Sequence, residues 1–176
     1  MKITNQYILL DSCIVSYLLS KTEGLAQKTD EFLIELKESD NLLYISELTH
    51  YEIMRDIDDN KKEKARKILS QFGTIEVDKK RLERAASLYE KYKNNESIKP
   101  LLKSGIDDID IMLGALICVS KKPLLLTANY SDFPRPFFKE NHIERIEYKF
   151  NKGKNKDKKA SLYYYFFEAN IEKFKE

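Results

Sequence analysis

Three short apolar runs that each end on polar residues constrain this chain more than any other feature: "QYILLD" (6–11), "LLYIS" (42–46) and "PLLLTAN" (123–129). Each is rich in branched or aromatic side chains, too short for a helix, and followed by a different pattern. Behind the first, "SCIVSYLLS" repeats its apolar positions at helical spacing, and behind the second, "SELTHYEIMRDI" does the same with Ser46 placed to cap it. The third run is continuously apolar, which is the signature of a strand buried on both faces.

Between these runs the pattern is helical. A polar helix is expected around Thr29–Glu38 and a charged one over Lys61–Phe72, leading through Gly73 into a short strand, "TIEV". Lys79–Lys93 reads as a helix with Leu82, Ala85, Ala86, Leu88, Tyr89 and Tyr92 on its inward stripe. A loop is expected around Pro100, then a helix near Asp107–Ser120 and a last strand in "IERIEYKF" (Ile143–Phe150). Repeated alternation of strand and helix implies an α/β fold with a mainly parallel sheet covered by helices on both sides.

At 176 residues one domain is expected, over residues 1–150, with 151–176 as an appendage. The stretch Lys149–Lys159 carries six lysines, and "ASLYYYFFEANIEKFKE" behind it resumes an apolar pattern read as a C-terminal accessory helix. The lysines form either a solvated mobile loop or a phosphate-contacting surface, and "YYYFF" either a packing face or a base-stacking platform. Net charge is only +2 with both signs interspersed, so total charge singles out no partner. Cys13 and Cys118 sit in apolar stretches and read as buried small apolar residues. The N-terminus has no charged start with a long apolar centre, no apolar run reaches the ~20 residues of a bilayer span, and a cytoplasmic protein is expected.

The acidic residues take their meaning from position. In an open parallel sheet the strands' C-terminal ends share one edge, and ligands bind there at the point where the strand order reverses. Asp11 closes the first run, Glu52 follows the second, Asp110 opens the apolar helix "DIMLGALI", and Asn129 and Asp132 follow the third run. Carboxylates gathered closely repel one another, which raises their pKa values or calls for a cation. Oxygen donors, with only two histidines and two separated cysteines in the chain, favour Mg²⁺ or Mn²⁺ over zinc or copper. One of Asp107 and Asp108 is expected to cap the helix, while Asp107, one turn before Asp110, is alternatively an auxiliary ligand. "HYE" (50–52) lacks the P-C-x-x-C partner of a zinc deaminase, and no glycine-rich phosphate loop is present. An aspartyl nucleophile for phosphoryl transfer would want an acid at position 13, where Cys13 stands.

Four pieces in order, "LLDSCIVSYLL", "ISELTHYEI", "DIMLGALI" and "LLLTANYSDF", resemble those of PIN-domain ribonucleases, in particular the VapC-type toxins of toxin–antitoxin pairs, over about Tyr7–Phe133. The resemblance implies a three-layer α/β/α sandwich and Mg²⁺- or Mn²⁺-dependent endonucleolytic hydrolysis of RNA. By motif, Asp11, Glu52, Asp110 and Asp132 would form the acidic centre, with Asp11 and Asp110 as direct metal ligands. Ser12 would orient Asp11 and Thr127 would position the final loop; Asn129 either ligates through its amide oxygen or leaves the fourth charge to Asp132. A toxin would be paired with a cognate antitoxin protein, and a homodimer is expected, with Ile14–Leu19 and Leu48–Ile57 as the apolar contact surfaces. Lys121, Lys122, Arg135 and the lysine-rich stretch are candidate contacts for the RNA substrate. The competing reading is a catalytically inactive PIN-like module that binds RNA or protein.

Overall fold

The computed structural model describes residues 3–118, 123–135, 137–152 and 155–173. A six-stranded sheet runs through it in the order β3-β2-β1-β4-β6-β5. The strands are β1 (Tyr7–Leu10), β2 (Leu42–Ser46), β3 (Gly73–Ile75), β4 (Leu124–Thr127), β5 (Phe138–Lys152) and β6 (Asn155–Ala169). The first four pair in parallel, and β6 pairs antiparallel with both β4 and β5. Strand order reverses between β1 and β4, so a crevice opens at their C-terminal ends.

Among the described residues there are seven α-helices: α1 (Ser12–Leu18), α2 (Glu23–Glu38), α3 (Glu47–Asp56), α4 (Lys62–Leu69), α5 (Lys79–Lys93), α6 (Lys99–Ser104) and α7 (Asp108–Ile117). Three of them, α3, α5 and α7, start at a side-chain cap. Ser46 Oγ accepts the Thr49 amide at 3.0 Å ahead of α3, and Asp78 accepts that of Arg81 at 2.8 Å ahead of α5.

Successive strand residues point to opposite faces, and two cores result. Ile8, Leu10, Leu124 and Leu126 face α1, α2, α3 and α4 with Ile14, Phe32, Ile53 and Leu69. Leu9 and Leu125 face α5 and α7 with Leu88, Tyr92, Leu113 and Ile117. Each fully buried aliphatic side chain of this kind contributes about 1.5–3 kcal/mol over its exposed state. The result is a mainly parallel sheet between two helical layers, as the alternation predicts. Gly114 lets α7 close onto the sheet: a Cβ there would lie 2.6 Å from Phe138 Cζ.

Several expectations need correction. Residues 155–169 form a strand, not an accessory helix. The run "YYYFF" is buried on alternating faces, Tyr164 and Phe166 in the first core and Phe167 in the second, and periodicity alone does not separate such a run from a buried helix. Most of the lysine-rich stretch is likewise strand, with Lys149 opposite Lys159, while Gly153 and Lys154 lie outside the described residues. The stretch Ile143–Phe150 lies within β5, which is not the last strand. Pro100 sits in the first turn of α6 rather than in a loop, where its missing N–H costs nothing. On α5 only Ala85, Leu88 and Tyr92 are buried, and Leu82 and Tyr89 are exposed. Ile14, Val15 and Ile53, expected on a contact surface, are buried in the chain's own core. Lys121, Lys122 and Ser120 lie outside the described residues.

Candidate active site

Asp11 is the residue that the sheet itself delivers to the crevice. Its amide bonds to Leu126 O at 3.0 Å, a rung of the β1–β4 ladder continued one residue past β1. Its side chain is 2% exposed, a costly place for a carboxylate unless donors surround it. Three do. Thr127 Oγ1 donates to Oδ2 at 2.6 Å, Cys13 Sγ to the same oxygen at 3.2 Å, and Ser12 Oγ to Oδ1 at 3.3 Å. Thr127 Oγ1 also accepts the Asn129 amide at 2.9 Å, so one hydroxyl ties Asp11 to the start of the 129–133 turn.

Cys13 was expected to be a small apolar filler, and it does more. Its sulfur accepts the Ala128 amide at 3.3 Å while donating to Asp11, joining the first turn of α1 to the end of β4. Burial first, then the charge of Asp11, pushes the thiol well above its usual range, so it remains a protonated donor. Its position two residues after a strand-ending aspartate was the only sequence signal for this role.

The remaining acids arrive from α3, α7 and the 129–133 turn. Asp107 caps α7, its Oδ1 accepting the amides of Ile109 and Asp110, both at 2.9 Å. Asp110 Oδ2 accepts the Asp107 amide at 3.0 Å, which completes a reciprocal capping box. Asp107 is therefore the cap of the two candidates, and one of its oxygens is committed to that task. Burial, followed by the charges of Asp107, Asp132 and Asp11, pushes the Asp110 carboxyl up to about 8 despite the bond from the Asp107 amide. Glu52, half-buried on α3, is raised by burial and by Asp11 and Asp107, against a lowering bond from Ser12. Asp132, in the 3₁₀ turn Tyr130–Asp132, is raised by burial, Asp11 and Asp107, against bonds from Ser131 and Asn129.

Glu52, Asp110 and Asp132 thus all lie in the electric field of Asp11 and Asp107 at the strand-order reversal. Asn129 is exposed, bonding Asp132 through its side chain and Thr127 through its backbone. Among the described residues no three His, Cys, Asp or Glu side chains are gathered closely enough to form a ready metal-ligand set. The residues fit a divalent cation in atom type and in charge: the donors are oxygens, and three carboxyls, of Glu52, Asp110 and Asp132, are held above their ordinary range by burial and by the charges of Asp11 and Asp107. They are not preassembled around one.

A pocket lined by Ser12, Ser16, Glu52, Ile53 and Lys61 opens beside this cluster between α1 and α3. No described helix is long and apolar enough to cross a membrane. No curated protein matches the chain. The family model for the PIN domain matches residues 8–136, which spans every acid of the crevice, and the chain belongs to that family.

Proposed function

From membership of the PIN family, whose domains are in general metal-dependent nucleases, we propose that this protein is an endoribonuclease that hydrolyses RNA phosphodiester bonds with Mg²⁺ or Mn²⁺. The observation that supports it most is the set of acids from four separate segments at the β1–β4 switch point, where burial and then the charges of Asp107, Asp132 and Asp11 push Asp110 up to about 8. A fold keeps such mutual repulsion only where something relieves it. Asp11 and Asp110 would hold the cation. When bound, a divalent cation supplies a water of lowered pKa and positive charge against the scissile phosphate.

The chain's own part is positioning and proton handling. Thr127, Cys13 and Ser12 fix both oxygens of Asp11, leaving that carboxylate no rotational freedom to lose on binding. Glu52, with a raised pKa and one edge toward the pocket, would accept a proton from the attacking water at its carboxylate. Asp132, supported by Ser131 and Asn129, would orient the water or the leaving oxygen. No protein nucleophile is required.

The finer reading is that of a toxin with a cognate antitoxin and a homodimeric state, and it is supported by the order and spacing of the four motifs. Expression alone should then arrest growth, and co-expression of the partner should relieve it.

The decisive experiment uses metal-free protein, RNA and added Mg²⁺ or Mn²⁺. Cleavage that is lost in Asp110→Asn supports the assignment, and cleavage that persists equally in that variant overturns it. A catalytically inactive binding module would instead retain RNA stoichiometrically with no metal-dependent turnover.

A further inference from the structure

The β5–β6 hairpin follows the segment matched to the family, which ends at residue 136. Its inner part completes the sheet: Phe167, Phe166 and Tyr165 pair with Leu125, Leu126 and Thr127 of β4. Because β6 is antiparallel to β4, every residue of β6 before Tyr165 lies past the end of β4, at the edge that carries the acids. Lys159 is six residues before Tyr165, so at ~3.3 Å per residue the Lys149–Lys159 pair stands roughly 20 Å beyond Thr127 along the strand.

Residues directly opposite in an antiparallel ladder share a face. The face bearing Tyr164 and Ile146 is buried in the first core, against α2. The other face bears Tyr165, Tyr163, Lys159 and Lys149: Tyr163 is 45% exposed, and both lysines are exposed where they line a pocket with Gly24, Gln27 and Lys28 at the start of α2. It is rooted in the active-site turn, for Tyr130, two residues before Asp132, packs on Tyr165 with ring centroids 4.9 Å apart, and the Arg135 guanidinium lies 5.6 Å from the Tyr130 ring.

Lys149 and Lys159 face each other directly, an arrangement of like charges that weakens a hairpin. Among the described residues neither enters an ion pair, whereas Glu147, two residues before Lys149 on this face, is held by Arg145 at 2.7 Å. Cations facing one another four residues, ~13 Å, along the strand from an exposed aromatic ring fit an anionic strand that carries flat bases.

We propose that this face of the hairpin is a platform for the single-stranded flank of a polynucleotide substrate, with a base stacked on Tyr163 and backbone phosphates held at Lys149 and Lys159. The strand leaves the acid crevice over the Tyr130 turn and follows the hairpin outward. That the strand is a substrate rests on the nuclease reading; that it binds does not.

The test measures binding of fluorescent single-stranded RNA and DNA dodecamers to the full chain in EDTA, where no metal-dependent turnover occurs, over a salt series. Lys149→Gln/Lys159→Gln should weaken binding and reduce the slope of log affinity against log salt by about 1.4, at ~0.7 per phosphate contact. Tyr163→Ala should weaken binding at least about fivefold, and Tyr163→Phe, which keeps the ring face, should restore it. All substitutions are at exposed positions, and a thermal melt checks that each variant is folded. Wild-type affinity and salt slope in the lysine double variant would overturn the proposal, as would equal loss in Tyr163→Ala and Tyr163→Phe. Tighter binding of the RNA than the DNA dodecamer would support an RNA strand as the occupant; equal affinity would support a strand recognised by bases and phosphates alone. Cleavage by wild-type protein with Mn²⁺ is read separately: its absence beside intact dodecamer binding fails the nuclease reading and leaves the platform standing.

Discussion

The acid crevice and the β5–β6 hairpin occupy the same edge of one sheet and manage charge in opposite ways. In the crevice, like charges are brought together in partial burial, and the cost appears as carboxyls raised above their ordinary range, Asp110 to about 8. On the hairpin, Lys149 and Lys159 also stand side by side, but in solvent, where water and salt screen most of the repulsion. Burial makes the first cluster sensitive to proton and cation binding at short range. Exposure makes the second sensitive to ionic strength. The same edge therefore carries one region suited to chemistry on a phosphate and another suited to holding a chain of them.

The strongest way to sharpen this contrast is to remove charge from the crevice. Asp11→Asn is expected to reduce metal-dependent RNA cleavage at least about a hundredfold, since stabilisation of the transferring charge is worth several kcal/mol, while RNA affinity in EDTA falls little. Equal loss of both, measured by cleavage rate and fluorescence anisotropy, would break the division of labour.

Next in size is the hydroxyl that fixes Asp11. Thr127→Val removes the 2.6 Å bond to the buried Asp11 carboxylate together with the acceptor of the Asn129 amide, and a hydrogen bond to a charged group is worth about 1.5–3 kcal/mol. The cleavage rate should fall roughly tenfold or more, and Thr127→Ser, which keeps both bonds, should recover most of it.

The hairpin has its own weak point. A Cβ at Gly24 would run into Lys149 O, so Gly24→Ala has to push β5 away from α2. Overpacking of this kind costs about 1–3 kcal/mol, which lowers the melting temperature by ~2–4 °C per kcal/mol. Hydrogen exchange should quicken in β5 before it does in β1 or β4.

The smallest effect is on pH. In the folded chain Asp110 keeps its proton up to about 8, whereas unfolded it releases it near 3.8. A raised folded pKa means stability that is complete below the unfolded value and is lost as pH rises through the folded one. Glu52 and Asp132 shift in the same direction. The metal-free protein should therefore melt a few degrees lower as pH approaches 8, at ~2–4 °C per kcal/mol, and Asp110→Asn should flatten that dependence. Calorimetry that shows the native chain gaining stability over this range would contradict it.

The crevice is legible in the sequence because its parts are local. Asp11 and Thr127 are strand-ending residues, Ser46 is a cap, and Asp110 opens an apolar helix, so each is announced by a change of pattern within a few positions. The hairpin was not legible in this way. "YYYFF" shows no alternation because Tyr164 and Phe166 are buried against Phe32 of α2 and Phe167 against Phe133, while the outward Tyr163 is an aromatic like its buried neighbours, so the run carries no period to read. Cys13 escaped for a related reason: a thiol between apolar neighbours looks the same whether it faces leucines or a carboxylate.

By itself the sequence determined the alternation of strand and helix, the two-sided core and the identity of the acids, because propensity, burial period and capping chemistry act over one or two turns of chain. Tertiary structure alone decided that β6 is inserted between β4 and β5, that Cys13 and Thr127 share the Asp11 carboxylate, and that two lysines ten residues apart face each other beyond the active edge. Those relations depend on which segments pair across long separations, and pairing energies become visible only once the partners are in place.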